Sequence, residues 1–239
     1  MLITRAHNLF KIKFNKLNSQ HKPDFPDAYI DEMLYRGLLD YIDIFYSANN
    51  MKQLKLGFET TQQRLDMLQN FIKPYDLSAP NSSTEFEFNK YEFDLPEDYI
   101  HNIRMFSKTT CGDVPIAIER HDHISEILLD EYLKPNLNWK RLVGIINQNK
   151  VYVYSDKELT NIMGEYIRLP NIPFLGTYDS IEFSEGDSNA PNIIDGKIHL
   201  DIPEMYAEKV IDIAVYNVSG IFGDYNYTQY LTDKLQKTT

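Results

Sequence analysis

His121-Asp122-His123 places two imidazoles two positions apart, with the single thiol of the chain, Cys111, a short way upstream. On a strand, residues i and i+2 point to the same side of the pleat, so this pair could offer two nitrogens to one metal ion. A structural zinc site needs two more ligands, and none occurs at a familiar spacing. The favoured reading is a polar trio that opens a helix at Ile124. Cys111, in Thr109-Thr-Cys-Gly-Asp-Val-Pro115, has His121 as a conceivable base. Thiol reactivity needs surroundings that favour the thiolate, and a lone cysteine in a turn is usually inert. Phosphate loops, nucleophile elbows, dinucleotide fingerprints and H-E-x-x-H motifs do not occur. The expectation is a non-enzyme, with no catalytic residues, no metal and no cofactor.

Carboxylates are the most abundant reactive groups: 35 Asp and Glu against 24 Lys and Arg give a formal net charge of −11. A catalytic acid/base pair is recognised by its surroundings and not by abundance. The balance argues against specific DNA binding, which calls for a basic footprint. Leu169 to Gly196 holds Asp179, Glu182, Glu185, Asp187 and Asp195 without one Lys or Arg. Two readings stand: a solvated loop, or a wall along which a polyanion slides without adhering. In the second reading Asp179, Glu182, Glu185 and Asp187 line a channel. The single cysteine excludes an internal disulfide framework and fits a reducing compartment. No window approaches the roughly 18 continuous apolar residues of a membrane span, and the basic N-terminus is too interrupted by Lys and Asn for a secretory signal.

The elements that would carry these groups are set by periodicity. Residues 1–25 show no sustained period and read as an extended arm. Residues 26–74 read as a helical hairpin. Pro26 opens a helix whose Ile30, Leu34, Leu38, Tyr41 and Phe45 form one stripe; Phe58, Thr61, Leu65, Leu68 and Ile72 stripe a second, ended by Pro74. Residues 82–202 read as a β-rich region with a short helical insertion at 121–135. Its strands include Phe86, Phe88, Tyr91 and Phe93 in one run, "VPIAIER", a hairpin in "RLVGIINQNKVYVYS", "MGEYIRLPNIPF" and "KIHLDIP". Residues 203–239 read as a C-terminal helix with Tyr206, Val210, Ile213, Asn217 and Ile221 on one face, then a tail. The expected class is α+β: a helical hairpin and C-terminal helices packed together, with a central, mostly antiparallel β sandwich or barrel.

One pattern occurs twice. Asp94-Leu-Pro-Glu-Asp-Tyr99 and Asp201-Ile-Pro-Glu-Met-Tyr206 each run a strand into Pro-Glu. Proline presets φ for the first helical position, and an acid there suits the helix dipole, so both read as strand-to-helix corners.

These segments together resemble the head-to-tail connector proteins of tailed bacteriophages, the adaptor or ring proteins of short-tailed and crAss-like phages. The resemblance lies in the order and spacing of "FETTQQRLDMLQNFI", "LPEDYIHNIRM", "EYIRLPNIP" and "HLDIPEMYAEKVIDIAVYNVS", and spans roughly residues 26 to 220. It implies a virion structural protein of the neck or tail, made in the host cytoplasm: one subunit of a homo-oligomeric, commonly dodecameric ring. The ring would join the portal protein to neighbouring tail ring proteins and continue a DNA channel that the genome crosses without specific binding. An acidic lumen and a high aromatic content agree with that reading. Beyond the resemblance, Tyr225, Tyr227, Tyr230 and Leu231 read as anchors of a tail that docks on the portal or another partner. The alternatives are a more distal tail ring protein and a non-viral cytosolic protein-binding module.

Overall fold

The computed structural model describes residues 1–15, 25–46, 65–78, 81–109, 112–176, 193–194 and 196–221. The chain divides into two compact units, Met1–Asn70 with Pro170–Thr239, and Phe71–Leu169. The protein is α+β, and none of its described helices is long and apolar enough to cross a membrane.

The first unit is built on helices α1 (Ile3–Asn15), α2 (Asp27–Tyr46) and α4 (Glu204–Ile221), with the small ribbon β9 (Ile193–Ile194) and β10 (Lys197–Ile198). The expected extended arm is corrected by α1. Ile3, Ala6, His7, Phe10 and Phe14 are buried at helical spacing, while Arg5, Asn8 and Lys11 take the remaining positions of the helix. Those polar residues broke the apparent period, and burial against the unit decides the conformation instead. On α2 the stripe extends beyond the expected residues to Met33, Gly37 and Ile42, because the helix is covered on more than one side. Gly37 lets α2 come close to α4: a Cβ there would lie 2.9 Å from the Val210 carbonyl oxygen and 3.1 Å from the Ala214 Cβ. Asn217 donates to Asp40 at 2.6 Å, and Lys13 reaches Asp212 at 2.8 Å, so α4 is tied to both α2 and α1.

The second expected helix is corrected at its C-terminal end; most of it, residues 51–64, lies outside the described residues. Helix persists over 65–68, a 3₁₀ turn comes next at Gln69–Phe71, and Ile72–Ser78 is strand β1. Pro74 therefore sits in an edge strand, where the missing N–H costs no ladder bond.

The second unit holds one eight-stranded sheet: β1, β2 (Asn81–Glu85), β3 (Phe88–Asp94), β4 (Tyr99–Thr109), β5 (Gly112–Ile118), β6 (Leu142–Asn147), β7 (Lys150–Ser155) and β8 (Asn161–Arg168). Spatial order is β1-β8-β4-β5-β6-β7-β3-β2, antiparallel throughout except for β5 beside β6. The sheet curls into a half-barrel. Alternate residues of seven strands fill its concave side, among them Tyr75, Tyr91, Phe93, Met105, Val114, Leu142, Val153, Ile162 and Tyr166. The parallel pair needs a crossover, and α3 (Ile124–Leu129) supplies it, packing Ile124, Ile127 and Leu128 on Val143, Ile145 and Tyr154 of the convex side.

Two local expectations change here. The run from Ser82 expected as one strand turns back at Phe86 and Glu87, whose φ of 50° and 69° make a tight two-residue hairpin without glycine. Lys90 and Glu85 bond at 2.7 Å across it; that bond holds the Glu85 carboxyl below, and the Lys90 ammonium above, their ordinary values. The first Pro-Glu step is also not a helix start. Tyr99 N–H closes a turn on the Pro96 carbonyl at 3.1 Å and the chain enters β4. The second step starts a helix as expected, with Ala207 N–H on the Pro203 carbonyl at 3.1 Å and α4 beyond, but the strand expected through "KIHLDIP" shortens to Lys197–Ile198. The residues after each Pro-Glu decide the outcome: "DYIHNI" is rich in β-branched and aromatic residues, and "MYAEKV" in helix formers.

Candidate functional site

Between α3 and β6 the chain makes a loop that hydrogen bonds hold from several directions. Asp130 ends α3, and its carboxylate accepts from the Tyr132 and Leu133 N–H groups at 2.7 and 3.1 Å. Asn136 does the same for Asn138 and Trp139 at 2.9 and 3.3 Å, as a short polar side chain at a turn start is suited to do. Asn136 and Arg141 exchange both backbone bonds, and Lys140 between them takes a left-handed φ of 52°. Leu137 is buried beneath, its N–H on Asp156 at 2.9 Å, and Lys157 donates to Asn138 at 2.8 Å.

Apart from Leu137, this clamped loop leaves its large side chains exposed. Leu129 is 74% exposed, Tyr132 76%, Leu133 40% and Trp139 62%. Exposed apolar residues scattered singly are ordinary, but four in one ordered stretch, including the only tryptophan of the chain, form a surface suited to contact. Trp and Tyr are the residue types that most often anchor protein interfaces. Sequence reasoning missed them. The signal was a tryptophan in the Pro- and Asn-rich segment "LKPNLNWK", which carries no apolar period that a core would need.

A second surface lies on the convex side of β1, β8 and β4. Registry sets Pro74 opposite Glu165 and Arg104, and Asp76 opposite Met163 and Phe106. The alternate residues Tyr75, Ile162, Tyr166 and Met105 point into the half-barrel, so these six face outward. They line a shallow groove of about 380 Å³. Arg104 pairs with Glu165 at 2.5 Å and its guanidinium lies 6.0 Å from the Phe106 ring; Asp76 accepts from Asn161 at 3.2 Å. Residue 164, between these outward positions but itself on the inward face, has no room for a side chain. A Cβ there would come within 2.2 Å of the Arg104 carbonyl oxygen and 2.5 Å of the Tyr75 hydroxyl.

The first Pro-Glu corner is structural. Asp98 accepts from the Tyr166 hydroxyl at 2.6 Å and from Lys73 at 3.3 Å, and its carbonyl takes the Leu169 N–H at 2.6 Å. Burial, then the Asp98 carboxylate, hold the Tyr166 hydroxyl far above its ordinary value. Tyrosine is therefore a donor here and not a proton carrier.

The residues expected from sequence fall differently. Tyr225, Tyr227, Tyr230 and Leu231, and the acidic Asp179, Glu182, Glu185 and Asp187, lie outside the described residues, as does Cys111. His121 bonds the Ile146 carbonyl at 2.7 Å, and Asp122 forms a two-pronged pair with Arg120 at 2.7 and 3.1 Å. His123 stands at the start of α3 without capping it through its side chain. Among the described residues no three His, Cys, Asp or Glu side chains group as metal ligands.

No model of a known protein family matches the chain, and no curated protein matches it. The loop and the groove are therefore read on their own geometry. A rigid projecting aromatic loop and a shallow, mixed groove are suited to protein contact.

Proposed function

We propose that this chain is a virion structural protein of a tailed bacteriophage: a subunit of an oligomeric ring that connects the portal to the tail and continues the DNA channel. The observation that carries the reading is the ordered loop 129–139, which spends hydrogen bonds on holding Tyr132 and Trp139 out in water. Such side chains gain by being covered by protein, and a ring subunit is covered on its flanks by copies of itself. The order of segments that resembles the connector proteins supplies the rest. A net charge of −11, repeated around a ring, would make a lumen that repels the genome.

In this reading the partners are further copies of the chain, the portal protein and the adjoining tail ring proteins. Tyr225, Tyr227, Tyr230 and Leu231 dock on the portal, and Asp179, Glu182, Glu185 and Asp187 face the passing DNA. Deleting residues 225–239 tests the assignment, because the described elements of both units end before them. The truncated protein is expected to keep its far-ultraviolet spectrum and its self-assembly, and to lose co-sedimentation with portal assemblies. Portal binding at undiminished strength would contradict the docking role.

A further inference from the structure

The projecting loop and the convex groove belong to one unit but to different parts of its sheet: α3 packs on β6 and β7, and the groove crosses β1, β8 and β4. Trp139 remains 62% exposed, so the groove of its own copy does not hold it. We propose that the two are halves of one head-to-tail contact, in which Trp139 and Tyr132 of one copy seat on Met163, Phe106 and Pro74 of the next. The inference rests on the proposed assembly into a ring and names the contact through which it happens.

Three observations favour a second copy as the occupant. The halves match in kind, since the loop is convex and aromatic and the groove is concave, with apolar residues between charged ones. At about 380 Å³ the groove is near the low end of the roughly 300–1,000 Å³ of ligand pockets, a size for an aromatic anchor. The charges also oppose. Residues 130–141 carry Lys134, Lys140 and Arg141 against Asp130 and Glu131, and the groove carries Asp76 and Glu165 against Arg104. In a chain of net charge −11, copies repel unless the touching patches differ in sign, and this loop has an excess of cations. A contact between two different patches is heterologous, so it repeats from copy to copy and closes into a ring if the rotation allows.

The experiment uses two full-length variants, Trp139→Asp to spoil the loop and Met163→Arg to spoil the groove, each run in sedimentation velocity. Each variant alone is expected to run as a single subunit where the unaltered protein assembles. An equimolar mixture is expected to give a two-subunit species and nothing larger, because one intact loop then meets one intact groove and each complex is blocked at both remaining ends. That rescue also shows both variants folded; Trp139→Ser with Phe106→Arg repeats it with independent substitutions. If the unaltered protein assembles and either variant does too, or if the mixture stays at one subunit, the contact is refuted and the assembly reading survives. An unaltered protein that never assembles refutes both.

Discussion

Gly164→Ala is expected to destabilise the β unit by about 3 kcal/mol, the upper range for forcing extra volume into a packed site. The added methyl would have to occupy a point 2.2 Å from the Arg104 carbonyl oxygen and 2.5 Å from the Tyr75 hydroxyl. A phenol at the end of a side chain can swing away. A carbonyl in the neighbouring strand cannot move without disturbing the β4–β8 ladder, where Met105 pairs with residue 164 beside a register shift at Asn102 and Arg104. Adding Tyr75→Phe to Gly164→Ala should therefore recover only part of the loss. Urea denaturation midpoints of the three proteins check this. A single variant within about 1 kcal/mol of the parent, or full recovery in the double variant, would show that the strand yields more easily than its registry suggests.

Asp31→Ala is expected to cost the helical unit about 3–5 kcal/mol, the range for removing one partner of a buried ionisable pair. The Asp31 side chain is 2% exposed and its two oxygens serve different elements: Oδ1 meets His7 Nε2 of α1 at 2.6 Å, and Oδ2 takes the Leu175 N–H at 3.0 Å. His7, itself 4% exposed, already has one buried nitrogen without a hydrogen bond, Nδ1, at 3.5 Å from Asp27. Without Asp31 the ring would have no hydrogen bond at either nitrogen, and the 175 backbone would lose its acceptor, each a desolvated group left unpaired. Asp31→Asn keeps an acceptor and should cost less. Amide hydrogen exchange along α1 reads the effect locally: protection of Phe10 and Phe14 should fall sharply in Asp31→Ala and moderately in Asp31→Asn. Unchanged protection in both would mean that apolar contacts of Ile3, Phe10 and Phe14 alone fix α1.

Elements whose own residues decide their conformation were legible. The α2 stripe, the span of α4, the β6–β7 hairpin, β8 and short α3 all stand where periodicity and punctuation put them, as does the mostly antiparallel α+β class; the expected face of α4 does not, since Tyr206 and Asn217 are only half-buried while Ala207, Ile211, Ala214 and Val218 are buried. The elements that were not legible depended on partners far along the chain. Helix α1 carries three cations and two asparagines among its apolar residues, and burial of Ile3, Ala6, Phe10 and Phe14, with His7 on Asp31 twenty-four residues on, makes it helix. Ile72 closed the expected helical stripe, but pairing of Ile72–Ser78 with residues 161–167 makes it strand, and Pro74 reads as a helix stop only until its edge position is known. The β2–β3 turn uses Phe86 and Glu87 where the usual signal is Asn-Gly. The exposure of Tyr132 and Trp139 was not legible for a related reason: it comes from the loop closed by Asp130, Asn136 and Asp156.

Sedimentation velocity of the unaltered, full-length protein over a concentration series is the most direct test that this chain works by assembling. The account predicts a discrete species at a fixed multiple of the 28.0 kDa subunit, growing at the expense of the single subunit without a ladder of larger forms. A sedimentation coefficient that stays at one subunit up to the solubility limit, with no partner added, would contradict it.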